Sequence, residues 1–291
     1  MTGTPSSAPP RGAAGTPDPG RADRLRASAR RIRGYALDMG EVQGQGYIGQ
    51  ALGVADVLAV LFGDLLRFRP DDPEWADRDR FLLSVGHYAI AVYAAFAEAG
   101  VVSVEELGTY GSDGSRLPMS AMASHTPGME ISGGSLGHGL GIATGMALGL
   151  RHQGSAARVV NLMSDGELNE GATWEAVTSC AHHGLDNVVV VVDVNALQAD
   201  GPTAGVQGMD PLPEKWEAFG WRAIRVDGHD VPALVAALDE LTTDPTRPSV
   251  LLCDTRPGHG VPMFEQRERS HFLRVEADEW QSARDALEAQ R

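Results

Sequence analysis

Two short apolar runs joined by one helical stretch constrain the fold of this chain more than any other feature of its sequence. The first run, 159–163, leads directly to Asp165, and the second run, 188–192, is β-branched and leads to Asn195. Between them, residues 170–183 have the length and composition of a helix. Because a strand, a helix and a strand in this order form a parallel pair, we expect Asp165 and Asn195 at the carboxyl ends of adjacent parallel strands.

Polar residues at that edge of the sheet indicate a ligand site, since doubly wound sheets bind their ligands there. A carboxylate from Asp165 and an amide oxygen from Asn195 make an all-oxygen site of the kind that Mg²⁺ or Ca²⁺ prefers. Gly166 would let the backbone approach a diphosphate closely and donate to it. The alternative is that Asp165 and Gly166 make only a turn and that Asn195 caps a helix.

The other apolar runs extend this pattern along the chain. They are unbroken rather than alternating, which indicates a parallel sheet covered on both faces. At 291 residues the chain can form one large α/β domain or two small ones. We predict an α/β fold, with a doubly wound, mainly parallel sheet flanked by helices. The further strands are predicted at 81–83, 222–226 and 250–254, and the further helices near 24–39, 52–66, 133–150, 232–241 and 276–291.

The amino-terminal segment has a different composition from the rest. Residues 1–22 are rich in Pro, Gly, Ser, Thr and Ala and contain almost no large apolar side chain. Such a segment cannot bury enough surface to offset the entropy of ordering it. We therefore predict a disordered tail over 1–22 and one folded domain over 23–291.

Charge and cysteine content restrict the partners and the compartment. The 24 Lys and Arg residues against 39 Asp and Glu give a net charge of −15, which argues against binding nucleic acid or an anionic membrane surface. The two cysteines, Cys180 and Cys253, are too few for a disulfide framework. We expect no apolar stretch of membrane-spanning length and no signal peptide. These observations predict a cytoplasmic protein that acts on small molecules.

The sequence blocks around the predicted metal ligands resemble a known motif. Residues 164–171 (SDGELNEG), followed by Asp-Val-Asn at 193–195, resemble the thiamine diphosphate motif, a Gly-Asp-Gly about thirty residues before an Asn, in the version found in transketolases. The resemblance covers roughly 24–275 and implies the diphosphate-binding domain of the thiamine diphosphate-binding fold. Further blocks in the family's order lie at 84–87, 126–130, 133–139, 219–221 and 226–230.

This resemblance implies thiamine diphosphate and Mg²⁺ (or Ca²⁺) as cofactors. The metal would be held by Asp165, Asn195 and the main-chain carbonyl of Leu197. Ser164 stands where the family usually has glycine, and its small side chain implies a modest adjustment. A backbone carbonyl of 134–136 would accept from the aminopyrimidine, or the glycines there serve only tight packing. The implied cofactor-binding residues are Gly134, Ser135, Leu136, Asp165, Gly166, Glu167, Asn195 and His271.

Three residues carry catalytic roles by the same resemblance. His87 follows Ser-Val-Gly, where the family has a histidine facing the reacting carbon, and His271 matches one that contacts diphosphate and substrate oxygen. A histidine suits proton transfer because its pKa lies near neutrality. Glu170 matches a carboxylate at the subunit interface near the cofactor, or it is an ordinary glutamate in the first turn of a helix. His259 stands where the family has a lysine.

The substrate pocket departs from the family pattern at two positions. Tyr47 stands where a substrate-binding histidine is expected, and Ser120 replaces a second histidine that touches the donor hydroxyl. His125 lies close to Ser120 in sequence and is a candidate to compensate. A pocket without these two histidines is expected to take a donor other than the usual ketose phosphate.

The resemblance also implies a second chain. In the family, a glutamate that activates the cofactor and an aromatic residue that stacks on its ring lie in a pyrimidine-binding domain, which we expect on a carboxy-terminal partner subunit in an α2β2 assembly. The implied function is transfer of a two-carbon ketol unit from a ketose-type donor to an aldehyde-type acceptor. The alternatives are a component that decarboxylates or dehydrogenates 2-oxo acids, and a cofactor-binding subunit without turnover.

Overall fold

The computed structural model describes residues 20–243, 246–267 and 270–289. The helices are α1 (Arg21–Gln43), α2 (Ile48–Val60), α3 (Ala89–Glu98), α4 (Gly139–His152), α5 (Gly171–His182), α6 (Thr203–Gln207), α7 (Leu212–Ala218), α8 (Val231–Leu241), α9 (Pro262–Glu265) and α10 (Glu279–Glu288). The strands are β1 (Gln45–Gly46), β2 (Arg80–Leu83), β3 (Val159–Ser164), β4 (Val188–Val194), β5 (Leu197–Gln198), β6 (Gly201–Pro202), β7 (Arg222–Asp227), β8 (Ser249–Asp254) and β9 (Leu273–Arg274).

Five strands form the central sheet, in the order β2-β3-β4-β8-β7, and every pair in it is parallel. The pairing of β3 with β4 sets Ser164 opposite Asp193, so both strands end at the same level. Asp165 and Asn195 follow these ends directly. The predicted fold class and the predicted strand pair are therefore confirmed.

Helices cover both faces of the sheet, which explains why its strands are apolar throughout. Val160 and Leu162 of β3 pack into a layer with α1, α2, α3 and α8, whereas Val159 and Met163 pack with α4, α5 and α7. All six residues of β3 and all seven of β4 are buried. Each large side chain fully buried in this way stabilises the fold by roughly 1.5–3 kcal/mol.

Helix α2 is enclosed on all sides, and every residue from Ile48 to Val60 is buried. With the π-helical turn that follows it, the segment Ile48–Leu65 is apolar and long enough to cross a membrane by length and composition, so the expectation that no stretch reaches that length is wrong. The segment is 78% buried within the protein, as a core helix would be.

Two small antiparallel pairs lie beside the main sheet. Strand β1 pairs with β9, with Gln45 opposite Arg274 and Gly46 opposite Leu273. This pairing brings the residues just after β1 close to those just before β9. Strand β5 pairs with β6 as a short hairpin immediately after Asn195.

Part of the predicted disordered tail, residues 1–19, lies outside the described residues. Helix α1 begins at Arg21, so the folded domain starts two residues before the predicted boundary at residue 23. The helix ends where Gly44 adopts a left-handed conformation with φ of 67°, as glycine commonly does after a helix.

Candidate functional site

The site begins where β3 and β4 end side by side. Asp165 is 4% exposed, and its Oδ2 accepts hydrogen bonds of 3.0 Å from the Ala196 N–H and from the Thr203 hydroxyl. Asn195 is also buried, and its Oδ1 accepts from the Leu197 N–H at 2.9 Å. The structure thus brings the two predicted metal ligands to one edge, as the sequence indicated.

One oxygen of Asp165 is available to bind a cation. Its Oδ1 is buried and has no hydrogen-bond partner among the described residues, which is rare for a buried carboxylate. Burial, together with the negative charge of Asp193, raises the pKa of Asp165 from its usual value of 3.8 to about 6. A divalent cation beside Oδ1 would satisfy the oxygen and favour the ionised form. The donor set therefore fits Mg²⁺ or Ca²⁺.

Two hydrogen bonds donated by its amide nitrogen fix the orientation of the Asn195 side chain. Its Nδ2 donates to Asp193 Oδ2 at 2.8 Å and to the Tyr88 hydroxyl oxygen at 2.7 Å. Thr255 donates its hydroxyl proton to the other carboxylate oxygen of Asp193. If the Asn195 amide were flipped, its Oδ1 would face the Asp193 carboxylate, and the two oxygens would repel each other. Oδ1 therefore stays where it accepts from the Leu197 N–H. Sequence reasoning missed these supporting residues, although Asp193 lies within the Asp-Val-Asn block.

Leu197 and Gly166 are the two remaining residues implied to hold the metal and the diphosphate, and their positions agree with that role. Leu197 begins β5, two residues after Asn195, and is half-buried. At Gly166 an added Cβ would meet only Ser164 Oγ, at 3.7 Å, and Gln198 atoms at 3.9 Å. The protein itself therefore leaves room beside Gly166, as the approach of a ligand to its backbone requires.

The loop 133–138 packs against the turn that carries His87. A Cβ at Gly133 would lie 2.1 Å from the Leu83 carbonyl oxygen, so glycine is needed there for close packing. Gly134 donates its N–H to Ser84 at 3.0 Å with φ of 128°. Gly134 and its neighbour Ser135 are exposed, and the next residue, Leu136, is half-buried against the core. Tight packing and an accessible backbone therefore coexist in this loop.

Glu167 is fully buried, and its carboxylate is bonded within the protein. Its carboxylate is 0% exposed and accepts from the Ser84 hydroxyl, from the Gly137 N–H at 2.8 Å and from the Ser164 N–H at 3.4 Å. These bonds tie the end of β3 to the glycine-rich loop. Glu167 acts here as a structural anchor, and direct contact with the cofactor stays a prediction.

Glu170, unlike the buried Glu167, lies at the protein surface. It is exposed and directly precedes α5. Its Cβ would lie 2.6 Å from a Cβ added to Gly137, so the two backbones are in close contact. An exposed carboxylate at this edge is available to a partner chain.

Tyr47, His87 and His271 form one cluster, although they are far apart in sequence. The Tyr47 ring centroid lies 4.4 Å from that of His87 and 5.5 Å from that of His271, and the two histidine rings are 5.7 Å apart. The Phe272 ring packs against Tyr47 at 5.2 Å. Burial lowers the pKa of His87 to about 4, assisted by nearby His271, and burial also lowers the pKa of His271. Both imidazoles are therefore neutral at physiological pH.

Ser120 and His125, the other residues predicted for the substrate pocket, are both exposed. Ser120 is exposed, and its Oγ lies 3.5 Å from the position of a Cβ on Gly134, at the rim of the same loop. His125 is exposed and hydrogen-bonds with Ser124 at 2.8 Å. No contact recorded for the described residues joins His125 to the cluster of Tyr47 and the two histidines. Its role in the pocket stays a prediction.

A second histidine cluster is largely paired within the protein, although His259 Nδ1 has no hydrogen-bond partner among the described residues. Asp56, His229 and His259 bring possible metal-ligand atoms within 4.8 Å of one another. However, Asp56 is already paired with buried Arg33 and accepts from His229 Nδ1 at 3.2 Å, while His229 Nε2 accepts from the Arg256 N–H at 2.9 Å. His259 stacks on His229 with centroids 3.6 Å apart and planes 14° apart, so the two rings do not converge on one ion. We interpret this cluster as structural.

Comparison with known proteins places these features in a family context. Residues 25–290 match the family described as transketolase, thiamine diphosphate binding domain. A transketolase family protein of Sinorhizobium fredii is 60% identical over 262 residues, which are 90% of this chain and 94% of that protein. The 6-deoxy-6-sulfo-D-fructose transketolase subunit of a Clostridium species is 34% identical over 264 residues, 91% of this chain and 96% of the subunit.

Solved structures agree with this match. The transketolase of Campylobacter jejuni superposes with a TM-score of 0.85 at 27% identity over 91% of this chain. The aligned region is 43% of the length of that transketolase, so this chain corresponds to less than half of it.

Proposed function

The chain belongs to the transketolase family, and we propose that it is the diphosphate-binding subunit of a two-subunit transferase. The enzyme would move a two-carbon ketol unit from a ketose-type donor to an aldehyde-type acceptor. The observation that carries this proposal is the buried, unpartnered Asp165 Oδ1 beside the fixed amide of Asn195. A metal-bound diphosphate is the ligand that this edge of the sheet fits.

We assign the cofactor contacts from this geometry. Asp165, Asn195 and the carbonyl of Leu197 would hold Mg²⁺, and the backbone beside Gly166 would donate to the diphosphate. When bound, thiamine diphosphate supplies the nucleophilic carbon that adds to the donor's carbonyl. The exposed backbone at Gly134 lies where an aminopyrimidine could bind against the loop.

The clustered histidines would act on the sugar. His87 is neutral because burial lowers its pKa to about 4, so its imidazole can accept a proton from a donor hydroxyl. His271 lies beside both Tyr47 and His87 and would hydrogen-bond an oxygen of the same donor. Both rings are partly shielded from water, which strengthens their hydrogen bonds to a substrate.

A relative that is named as a subunit supports the existence of a partner chain. The aligned part of the Campylobacter jejuni transketolase is 43% of that chain, and the Clostridium relative is named as a subunit. We propose that the partner carries the pyrimidine-binding domain, that the assembly is α2β2, and that it is cytoplasmic. The exposed Glu170 would lie at the contact between chains.

The donor remains to be identified within the ketoses. Tyr47 fills the position of a family histidine and packs against His87. The Clostridium relative is named for a sulfonated ketose, so sulfonated, phosphorylated and uncharged ketoses form the appropriate panel. The comparisons match transketolases and do not favour the 2-oxo acid alternative.

Co-expression with a subunit that carries a pyrimidine-binding domain tests the proposal. The purified complex should transfer ketol units only when thiamine diphosphate and Mg²⁺ are added, and the complex with Asp165→Ala should lose this activity. A complex inactive with every ketose in the panel would contradict the proposal, and release of carbon dioxide from a 2-oxo acid would favour the alternative reaction. Unchanged activity of the Asp165→Ala complex would indicate that this chain has no catalytic site of its own.

A further inference from the structure

Gln50 contacts the substrate-side histidine from the protein core. It lies in the first turn of α2 and is 1% exposed. Its Nε2 lies 2.8 Å from the backbone carbonyl oxygen of His271 and 3.1 Å from the Nδ1 of the same residue. The two residues are 221 positions apart in the chain.

Close packing of backbones makes this contact possible. A Cβ on Gly49 would lie 2.8 Å from the Ser270 carbonyl oxygen, so a glycine lets the start of α2 approach the segment before β9. Gly49 in turn accepts a hydrogen bond of 2.7 Å from the Gly258 N–H. The position of Gln50 beside His271 is therefore set by the backbone.

The carbonyl group fixes which end of the Gln50 amide faces His271. A carbonyl oxygen can only accept, so the amide nitrogen and not the amide oxygen must lie 2.8 Å from it. An NH₂ group has two protons, and the second is within reach of Nδ1. Nδ1 must then carry a lone pair. In a neutral imidazole the proton is consequently on Nε2.

The amide oxygen of Gln50 contributes no hydrogen bond, so the value of a glutamine at this position lies in the two bonds that its amide nitrogen donates. Gln50 Oε1 is buried and has no hydrogen-bond partner among the residues that the structure describes. An unpaired buried carbonyl is unfavourable, and an apolar side chain of the same size would avoid it. The amide is therefore explained by what its nitrogen does at His271.

We propose that Gln50 is a positioning residue that holds His271 as its Nε2–H tautomer. Nε2 lies on the edge of the ring away from Gln50, and the ring's neighbours in the cluster are Tyr47 and His87. His271 then presents a hydrogen-bond donor to the pocket, suited to an acceptor oxygen of the sugar: a carbonyl, a hydroxyl or an anionic group. His87 is then the histidine that accepts a proton from the donor hydroxyl. The tautomer is inferred from geometry alone, whereas the role of His271 in binding a sugar oxygen rests on the proposed function.

Ring-¹⁵N-histidine labelling of the full chain tests the tautomer directly. Long-range ¹H–¹⁵N spectra should show His271 with a protonated Nε2 and an unprotonated Nδ1, and loss of those signals in His271→Gln assigns them. Gln50→Met removes both bonds at nearly constant volume, and we expect it to convert the single form into a mixture of tautomers. Gln43→Met is the matched control, since Gln43 also donates through its amide, to the Tyr110 carbonyl at 2.7 Å.

Two outcomes would overturn the proposal. A protonated Nδ1, or a mixture of tautomers in the wild-type chain, would contradict it even if Gln50→Met does not fold. A wild-type Nε2–H form that persists in Gln50→Met would show that Gln50 does not set it.

Kinetics of the complex with the partner subunit test the use on substrate. We expect Gln50→Met to raise the KM for the ketose donor roughly tenfold, which corresponds to one lost hydrogen bond. An unchanged KM would overturn this part. Because the spectra need no turnover, an inactive complex with the expected tautomer would defeat the proposed function and leave the tautomer assignment standing.

Discussion

The Tyr88 hydroxyl donates a hydrogen bond of 2.6 Å to Asp193 across 105 residues of chain. Tyr88 directly follows His87 in the 3₁₀ turn Gly86–Tyr88. The same hydroxyl oxygen accepts from the Asn195 amide at 2.7 Å. One short turn thus carries both the histidine that we propose acts on the donor and the phenol that orients Asn195, a proposed metal ligand.

Removal of the Tyr88 hydroxyl should weaken the metal site. Tyr88→Phe leaves one amide proton of Asn195 without its acceptor, and we expect metal affinity to fall about 10- to 100-fold, as for other supporting residues of metal sites. Calorimetric titration of Mg²⁺ in the presence of thiamine diphosphate measures this. Tyr93→Phe, which removes a hydroxyl bonded to the Pro118 carbonyl at 3.1 Å, is the control and should leave affinity unchanged. Equal affinity for Tyr88→Phe and wild type would refute the assignment.

Asp165 should reduce the stability of the chain without metal above about pH 6. Burial raises its folded-state pKa from 3.8 to about 6, so protonation stabilises the fold below pH 4, and this stabilisation is lost as the pH rises through 6. Asp165→Asn cannot ionise and should be more stable than wild type at pH 7.5 by up to about 3 kcal/mol. The difference should vanish near pH 4. Urea unfolding of both proteins at the two pH values tests this, and a difference independent of pH would contradict it.

The same substitution should have the opposite effect once ligands are present. Mg²⁺ and thiamine diphosphate stabilise only the folded state that binds them. We expect their addition to raise the melting temperature of the wild-type chain and to leave that of Asp165→Asn unchanged. An equal rise in both proteins would place the metal elsewhere.

His87 should contribute to turnover rather than to cofactor binding. In the complex with the partner subunit, His87→Ala should lower kcat about 10²- to 10⁴-fold, the range for a residue that transfers a proton. Thiamine diphosphate affinity, measured in the same preparation, should change little. His152→Ala is the matched control, because His152 is an exposed histidine at the end of α4. A His87→Ala defect confined to cofactor affinity would remove His87 from the proton-transfer role.

Tyr47 should govern the choice of donor. Tyr47→His restores the residue type expected in the family, and we expect kcat/KM for a ketose phosphate to rise roughly tenfold through one added hydrogen bond. Tyr47→Phe keeps the ring against His87 and should preserve the wild-type order of donors. If both substitutions lower activity equally with all donors, Tyr47 serves packing rather than selectivity.

Glu167 should prove necessary for the fold of the site. Glu167→Ala leaves the Ser84 hydroxyl and two backbone N–H groups without their acceptor. We expect the free energy of unfolding to fall by about 3–5 kcal/mol. Glu175→Ala, on the exposed side of α5, should change it by less than about 0.5 kcal/mol. A small effect at Glu167 would mean that the three donors find other acceptors.

Local sequence predicted the five strands of the central sheet, most of the longer helices and the placement of Asp165 and Asn195 at one edge, but it did not predict α3 or α7. A buried parallel strand needs an unbroken apolar run, and a crossover helix places two such strands side by side, so neighbouring residues suffice for this inference. The same reasoning located the exposed Glu170 at the start of α5. It did not show that the Glu167 carboxylate accepts from Ser84 and Gly137, because sequence spacing does not reveal where a side chain points.

Only the tertiary structure decided which distant side chains meet. Gln50 and His271, like Tyr88 and Asp193, are separated by more than a hundred residues, and no periodic pattern links them. Their contacts depend on how closely backbones approach, through Gly49 at one point and the turn at Gly86 at another. Sequence therefore determined the main elements and the edge that carries Asp165 and Asn195. Packing between elements oriented the amide of Asn195 and the ring of His271, because hydrogen-bond direction is fixed by atoms that only the folded chain brings together.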